Sequence, residues 1–455
     1  MCGSCRPFGA QGLFCVRSGY PEGQCRGRMP SSTAAESEPS VQATRRGVCV
    51  RGVPFFLPIQ FLLNVPALLI AIVIVAHLAW WNWSSRQLPR GASRVLLAAF
   101  AIVPLGVIAL RLTVDRGPAL LWAVGYVWLL SALPVTLLLI LAYELCRFVR
   151  RPRTVPPQTE PDGPPLTRRR LLATAAVAAP PLTTLAAAGM GCANLDVFRV
   201  IRRPLGLPGL PPALVGLRIV HVSDTHVGPF TRGAVLTRLV DAVNALDADL
   251  VCFTGDLIDH RLRDLPAAAE MLNAMRGRYG TFAVEGNHDL FVGSDAFRRG
   301  CAAHGIDLLV GDARRLSVRD TPLDVLGLRW AGSTDAGQAA AFAELPPVRP
   351  GAFPVLLAHH PHAFDAARMG GVPLTLAGHT HGGQMMTPGG LGFGPVMYRY
   401  WSGPSFDPGT GHAVVVSNGA GRWFPVRINA PAEITLLTLE HQPPLAPPAA
   451  ELNQS

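Results

Sequence analysis

The residues best suited to chemistry are Gly378-His379-Thr380-His381-Gly382-Gly383, which follow the apolar run Pro373 to Ala377. The run reads as a short buried strand that Gly378 breaks. Histidines two apart in an extended segment point the same way, and flanking glycines let backbone approach something compact. Neutral imidazole is the commonest protein metal ligand. The pair is therefore a candidate for holding an ion, the alternative being a polar loop with two incidental histidines. Four further apolar runs end in metal-capable side chains. Leu217 to Val222 leads to Asp224 and His226, and Leu250 to Thr254 leads to Asp256. Thr281 to Val284 leads to Asn287, His288 and Asp289, and Phe353 to Ala358 leads to His359. These candidate strands carry their polar residues at the carboxyl ends, the edge where open α/β sheets bind ligands.

In chain order these are D-x-H at Asp224, GD at Gly255, GNHD at Gly286, a strand-end His at His359 and GHTH at Gly378. That series resembles the calcineurin-like metallophosphoesterase superfamily. The fuller GHTHGGQ, with LLAHHP before it and SNGAG…PVRINAPAEITLLTL after it, is similar to a bacterial membrane-anchored branch. The resemblance spans Leu217 to Leu439 and says little about the first two hundred residues. It implies two ions, one held by Asp224, His226, Asp256 and His381. The other would be held by Asp256, Asn287, His359 and His379, with Asp256 bridging. A carboxylate can span ions about 3.5–4 Å apart, and such a pair activates water and stabilises the attacking and leaving oxygens of an in-line displacement. Histidine with carboxylate suits Mn, Fe or Zn better than Ca or Mg.

The same resemblance makes His288 the group that protonates the leaving oxygen or binds the phosphoryl group. Asp289 is expected either to orient His288 or to cap a helix N-terminus. Arg422, on a Gly-rich loop with Asn418, could grip a phosphate or anionic headgroup; the other reading is a surface arginine. His362, where the family more often has Asp, reads as a solvated loop histidine. His221, His304 and His412 read as structural, and Cys252 and Cys301 as small buried apolar residues.

The elements that must position these residues alternate. Thr231 to Leu246 places Val235, Leu236, Leu239, Val240 and Val243 at helical spacing between strands. Strand–helix alternation favours an α/β domain. Leu323 to Leu328, His412 to Val416 and Glu433 to Leu439 are strand-like without clear helices between them, which suits two sheets with helices outside. The resemblance implies the same fold, a four-layer α-β-β-α sandwich, expected over residues 213–442. Phe198 to Pro212 reads as a connector and 443–455 as a disordered tail.

The first half differs. Of the 455 residues, 49% are hydrophobic and only 15% charged, which points to membrane segments. Residues 1–52 read as disordered, and Met29 is an alternative start that would remove Cys2, Cys5, Cys15 and Cys25. Residues 53–148 hold apolar runs at Phe61 to Trp81, Val95 to Leu110 and Ala119 to Cys146, about three transmembrane helices. An Arg/Pro-rich linker, 149–170, precedes a further apolar segment, 171–192. That segment reads as a fourth crossing or a twin-arginine-like signal; Cys192 fits a lipid-attachment pattern poorly.

Arginines between 147 and 170 should stay cytoplasmic, placing a multi-pass protein in the membrane with its catalytic domain extracytoplasmic. Arg45, Arg46 and Arg51 run against that orientation. The net charge of +10 comes largely from arginines flanking apolar runs, so no nucleic-acid partner is expected. The expected partners are a phosphoester substrate and the lipid bilayer. The function expected is a membrane-anchored, dinuclear-metal phosphoesterase acting on phosphomono- or diesters, with a phospholipid or lipid-linked phosphate among the candidates. The competing class is a membrane sensor or transporter whose phosphoesterase-like domain only binds a ligand.

Overall fold

The computed structural model describes residues 119–128, 168–390 and 392–441, with single positions at 78, 82, 141 and 145. All of them belong to one compact unit, Leu63–Ser455; Met1–Leu62, including the N-terminal cysteines, lies outside the described residues. The first two apolar runs lie almost wholly outside as well. The third contributes helix α1 (Ala119–Val127), and the linker leads into helix α2 (Arg168–Ala193).

Two sheets form the body. The first has the order β1-β11-β2-β3-β4, from strands Phe198–Leu207 (β1), Arg218–Val222 (β2), Leu250–Thr254 (β3), Thr281–Val284 (β4) and Ala432–His441 (β11). The second has the order β5-β6-β7-β8-β10-β9. Its strands are Asp312–Val318 (β5), Thr321–Gly327 (β6), Phe353–Leu357 (β7), Leu374–Ala377 (β8), Gly403–Phe406 (β9) and Ala413–Val416 (β10). Strands β2, β3 and β4 run parallel, as do β6, β7, β8 and β10. Parallel strands covered on both faces read as near-continuous apolar runs, which is why these were legible as runs rather than alternations.

Side chains still alternate between faces. Ile219, Leu250, Cys252, Phe282 and Val284 meet Val325, Val355, Leu357, Leu374 and Val415 of the second sheet in the inner layer. Their neighbours Val220, Val251 and Phe253 turn outward, against helices α3 (Ala234–Asn244), α4 (Leu265–Ala274) and α5 (Ser294–Ala303). In α3 the buried residues are Val235, Leu239 and Val243, one stripe at i, i+4 and i+8. The far face of the second sheet packs Leu326 and Leu356 against Ala341 of α6 (Asp335–Ala343) and Ala363 and Ala367 of α7 (Ala363–Met369). Helix, sheet, sheet and helix are thus stacked in four layers. Burying one such Val, Leu or Phe stabilises by about 1.5–3 kcal/mol, so the inner layer and the helix-covered outer faces each contribute substantially to the fold's stability.

Three expectations change. The stretch expected as a connector from Phe198 is an edge strand, pairing parallel with β11 from Phe198↔Ala432 to Leu207↔His441. Pro204 disguised it, yet an edge strand tolerates a residue without an N–H. Helices α6 and α7 do separate β6, β7 and β8, but their alanine-rich segments carry little periodic signal. Finally, among the described residues no helix is long and apolar enough to cross a membrane. α2 covers the segment expected as a fourth crossing; it is long, but rich in Ala, Thr, Gly and Pro and headed by three arginines. Its final turns pack on the domain, with Ala188 buried beside Phe424 and Val426 and Gly191 tight against the Pro425 carbonyl.

Candidate metal centre

The carboxyl ends of β2, β3 and β4 in one sheet face those of β7 and β8 in the other. After β2, β3, β4 and β8 a glycine or a left-handed residue turns the chain, whereas β7 runs on through Ala358 to His359 and His360. Asp224, His226, Asp256, His379 and His381 take positive φ values of 51°, 44°, 56°, 74° and 50°. Each such residue costs of order 1–3 kcal/mol, and strain of this kind persists only where surrounding contacts over-determine it. Those contacts are present. Asp224 N donates to Gly255 O and His226 N to Asp256 O, tying the first two loops together. Asp224 carboxylate accepts from His379 N at 3.1 Å, tying in the loop after β8. Gly378 and Gly286 are required by close approach: a Cβ on Gly378 would strike Asp224 Oδ2 and one on Gly286 would strike Asp256 Oδ1.

Among the described residues the side chains converge in three groups, Asp224–His226–His381, His226–Asp256–His288 and Asp256–His359–His379, each with candidate ligand atoms within 4.8 Å of one another, the middle group joining the other two through His226 and Asp256. His226 Nε2 lies 3.0 Å from His381 Nε2 and 3.5 Å from Asp256 Oδ2. His359 Nε2 lies 3.2 Å from Asp256 Oδ2, 3.1 Å from Asn287 Oδ1 and 3.2 Å from His379 Nδ1. Asp256 thus sits between the groups. Seven N and O donors of carboxylate, amide and imidazole type facing one another fit divalent transition ions.

The electrostatics agree. Burial lowers His226 to about 3 and holds His379 and His381 well below the usual imidazole range, leaving neutral rings with free lone pairs. Burial alone would raise Asp256, but the charge and hydrogen bond of His359 outweigh it and hold the carboxylate well below its usual range. Burial would lower His359, and Asp256 instead raises it.

His288 stands beside this cluster, its ring edge-on to His226 with centroids 4.5 Å apart. Its backbone N–H donates to Asp256 Oδ1 at 2.8 Å. Its Nδ1 lies 2.8 Å from Asp259 O and 3.2 Å from Asp259 Oδ1. Burial would lower His288; the Asp259 hydrogen bond, with the charges of Asp256 and Asp259, raises it.

Asp259, not Asp289, is therefore the carboxylate that orients His288. Asp289 is fully buried and accepts from Ile258 N and Gly286 N, both at 2.9 Å. These are loop amides, so it ties loops together and caps no helix. Burial first, and then the Asp256 charge, push Asp289 up to about 7. Asp259 was missed although it stands three residues after Asp256; only the fold turns it toward His288.

Arg422 is neither at the surface nor free to grip a phosphate. It is 4% exposed, and its guanidinium donates to the carbonyls of Asn194, Leu195 and Val197, fastening the turn between α2 and β1. Arg427, also missed, is partly buried and donates to the carbonyls of His381, Asn418, Gly421 and Ala430 and to His381 Nδ1 at 2.8 Å. His362 is held rather than solvated, with Nδ1 3.2 Å from Asp335 Oδ1 and Nε2 accepting from Arg399 N. His221 is buried, its Nε2 2.8 Å from Thr254 Oγ1.

Residues 217–383 match the family described as calcineurin-like phosphoesterase. An uncharacterised metallophosphoesterase of Campylobacter jejuni is 30% identical over 235 residues, 51% of this chain and 61% of that protein. A transmembrane protein with metallophosphoesterase domain from Danio rerio is 40% identical over 93 residues, 20% of this chain and 21% of its own. A UDP-2,3-diacylglucosamine pyrophosphatase of Chlamydia trachomatis, LpxG, is 34% identical over 95 residues, 21% of this chain and 29% of that one. The chain thus spans between 21% and 61% of the length of these relatives.

Proposed function

We propose that this chain, a member of the calcineurin-like phosphoesterase family through residues 217–383, is a phosphoric ester hydrolase using two divalent transition-metal ions. The observation that carries the reading is Asp256 lying between two donor groups. Asp224, His226, Asp256 and His381 would hold one ion; Asp256, Asn287, His359 and His379 would hold the other. When bound, the ions supply water activation and charge stabilisation at the phosphoryl oxygens.

The chain's own residues do the rest. His288, kept protonated by Asp259, holds a proton at Nε2, the nitrogen its partner leaves free, and delivers it to the departing alkoxide. Trp330, with its ring 5.5 Å from that of His359 and 5.4 Å from that of His379, walls one side against water. Arg427 fastens the 418–430 loop over the ligands. The name of the chlamydial relative points to a lipid-linked phosphate as the substrate class.

The test is hydrolysis of phosphomono- and diester chromogens with added Mn, Fe or Zn. His288→Ala should keep its metals and lose about 10²–10⁴-fold in rate on poor leaving groups, and less on nitrophenolate esters. His379→Ala should lose metal and activity together. No turnover with any ion would favour a ligand-binding module.

Membrane association is part of the proposal. It rests on the apolar runs, on two relatives named as transmembrane proteins, and on α2 presenting Leu182, Leu185 and Met190 outward. The arginines between 147 and 170 favour an extracytoplasmic domain.

A further inference from the structure

A groove of about 270 Å³ opens beside His379 and His381. His379 and His381, with Thr380 and Gln384 beside them, form its polar wall. The rest is Gly383, Met385, Met397, Tyr398, Trp423 and Phe424, and no Asp, Glu, Lys or Arg lines it. The rings follow one another away from the ligands. Tyr398 lies 5.7 Å from His379, Trp423 lies 6.4 Å from His381, and Phe424 lies 5.7 Å beyond Trp423. At the rim, Met397 is 60% exposed and its neighbour Val396 83%. A nucleotide base or sugar would need donors and acceptors along that wall, and Met and aromatic side chains offer few.

The floor continues into the helices that precede the domain. Phe424 is buried with Ala123, Val124 and Val127 of α1 and Ala188 of α2, and Met385 and Trp423 pack against the same cluster. α1 carries no charged residue. An uncharged path therefore runs from the candidate ligands to the apolar N-terminal helices. Methionine and aromatic walls adapt well to a flexible hydrocarbon.

We propose that this groove holds the hydrocarbon chain of an amphipathic phosphoester and so places its phosphoryl group against the ligands. The proposal rests on the phosphoesterase reading above. A linear acyl chain and an isoprenyl chain share the required chemistry.

The test uses the full-length chain with Mn and p-nitrophenyl alkyl phosphodiesters from methyl to decyl, below their micelle concentrations, beside a dimethylallyl and geranyl series. KM should fall about two- to fourfold per added methylene over the first several carbons, with little change in kcat, because the chain contributes equally to ground and transition states. Whichever series keeps gaining with length identifies the kind of chain. Met397→Glu, at an exposed position that folding tolerates, should flatten the dependence on chain length.

Calorimetry on the metal-free protein adds a readout independent of turnover. Decyl phosphonate should bind more tightly than methyl phosphonate, with a more negative heat-capacity change. Turnover with a KM indifferent to chain length, or equal binding of the two phosphonates, would overturn the groove assignment. Absence of turnover on every ester, with length-dependent phosphonate binding retained, would instead sink the phosphoesterase reading and leave the groove standing.

Discussion

Replacing Asp259 by Asn removes a charge while keeping most of the shape. His288 Nδ1 now has two acceptors on Asp259, the backbone carbonyl at 2.8 Å and Oδ1 at 3.2 Å. The carbonyl survives the substitution, so the ring should keep its place, and the change is mainly electrostatic. An opposite charge at this range shifts a pKa by about 1–3 units, or roughly 1.4–4 kcal/mol. The sign follows from the raised state of His288. Its protonated form persists to higher pH in the native protein, so activity that needs the donor is lost as pH rises through that raised value. In Asp259→Asn the loss should begin about 1–3 pH units lower. The assay is kcat/KM against pH on a phosphodiester with an alkyl leaving group, repeated with nitrophenolate, which needs little protonation and should show a smaller shift. Metal content should stay unchanged, since Asp259 belongs to neither donor group. An alkaline limb that does not move, or that moves equally in Asp289→Asn, would refute the assignment of Asp259 as the partner of His288.

Asp256→Asn should lower occupancy of both ion positions by elemental analysis, whereas Asn287→Ala should empty mainly one. Metal affinity should fall as pH drops, because His359 binds its proton more tightly than a free imidazole; proton release on loading can be titrated directly. Asp289→Ala strands the buried amides of Ile258 and Gly286, at about 1–3 kcal/mol for each unsatisfied group, and a lower melting temperature in the metal-free protein would show it. A C-terminal alkaline phosphatase fusion should be active if the domain is extracytoplasmic, and a dark phosphatase with a fluorescent cytoplasmic reporter would reverse that orientation.

The residues that converge at the strand ends and the inner strands were legible because each is local. An apolar run of five residues ended by Gly-Asp or Gly-His says in one stretch both where a buried strand stops and what stands at its end. Asp224, Asp256 and His379 needed no knowledge of neighbours to be singled out. The partners needed it. Asp259 and Asp289 are both acids near a ligand, and only the path of the chain decides that one turns to His288 Nδ1 while the other ties the loop amides of Gly286 and Ile258. Arg422 and Arg427 lie five residues apart on one loop and look alike in sequence. One fastens α2 to β1 and the other holds His381, because a guanidinium's role is set by which carbonyls the fold leaves within reach. Strand β1 was hidden by Pro204 until pairing with β11 made it an edge. What the chain carries in sequence is the identity of the groups at the strand ends; which group meets which is decided by long-range closure of two sheets, a property no local stretch contains.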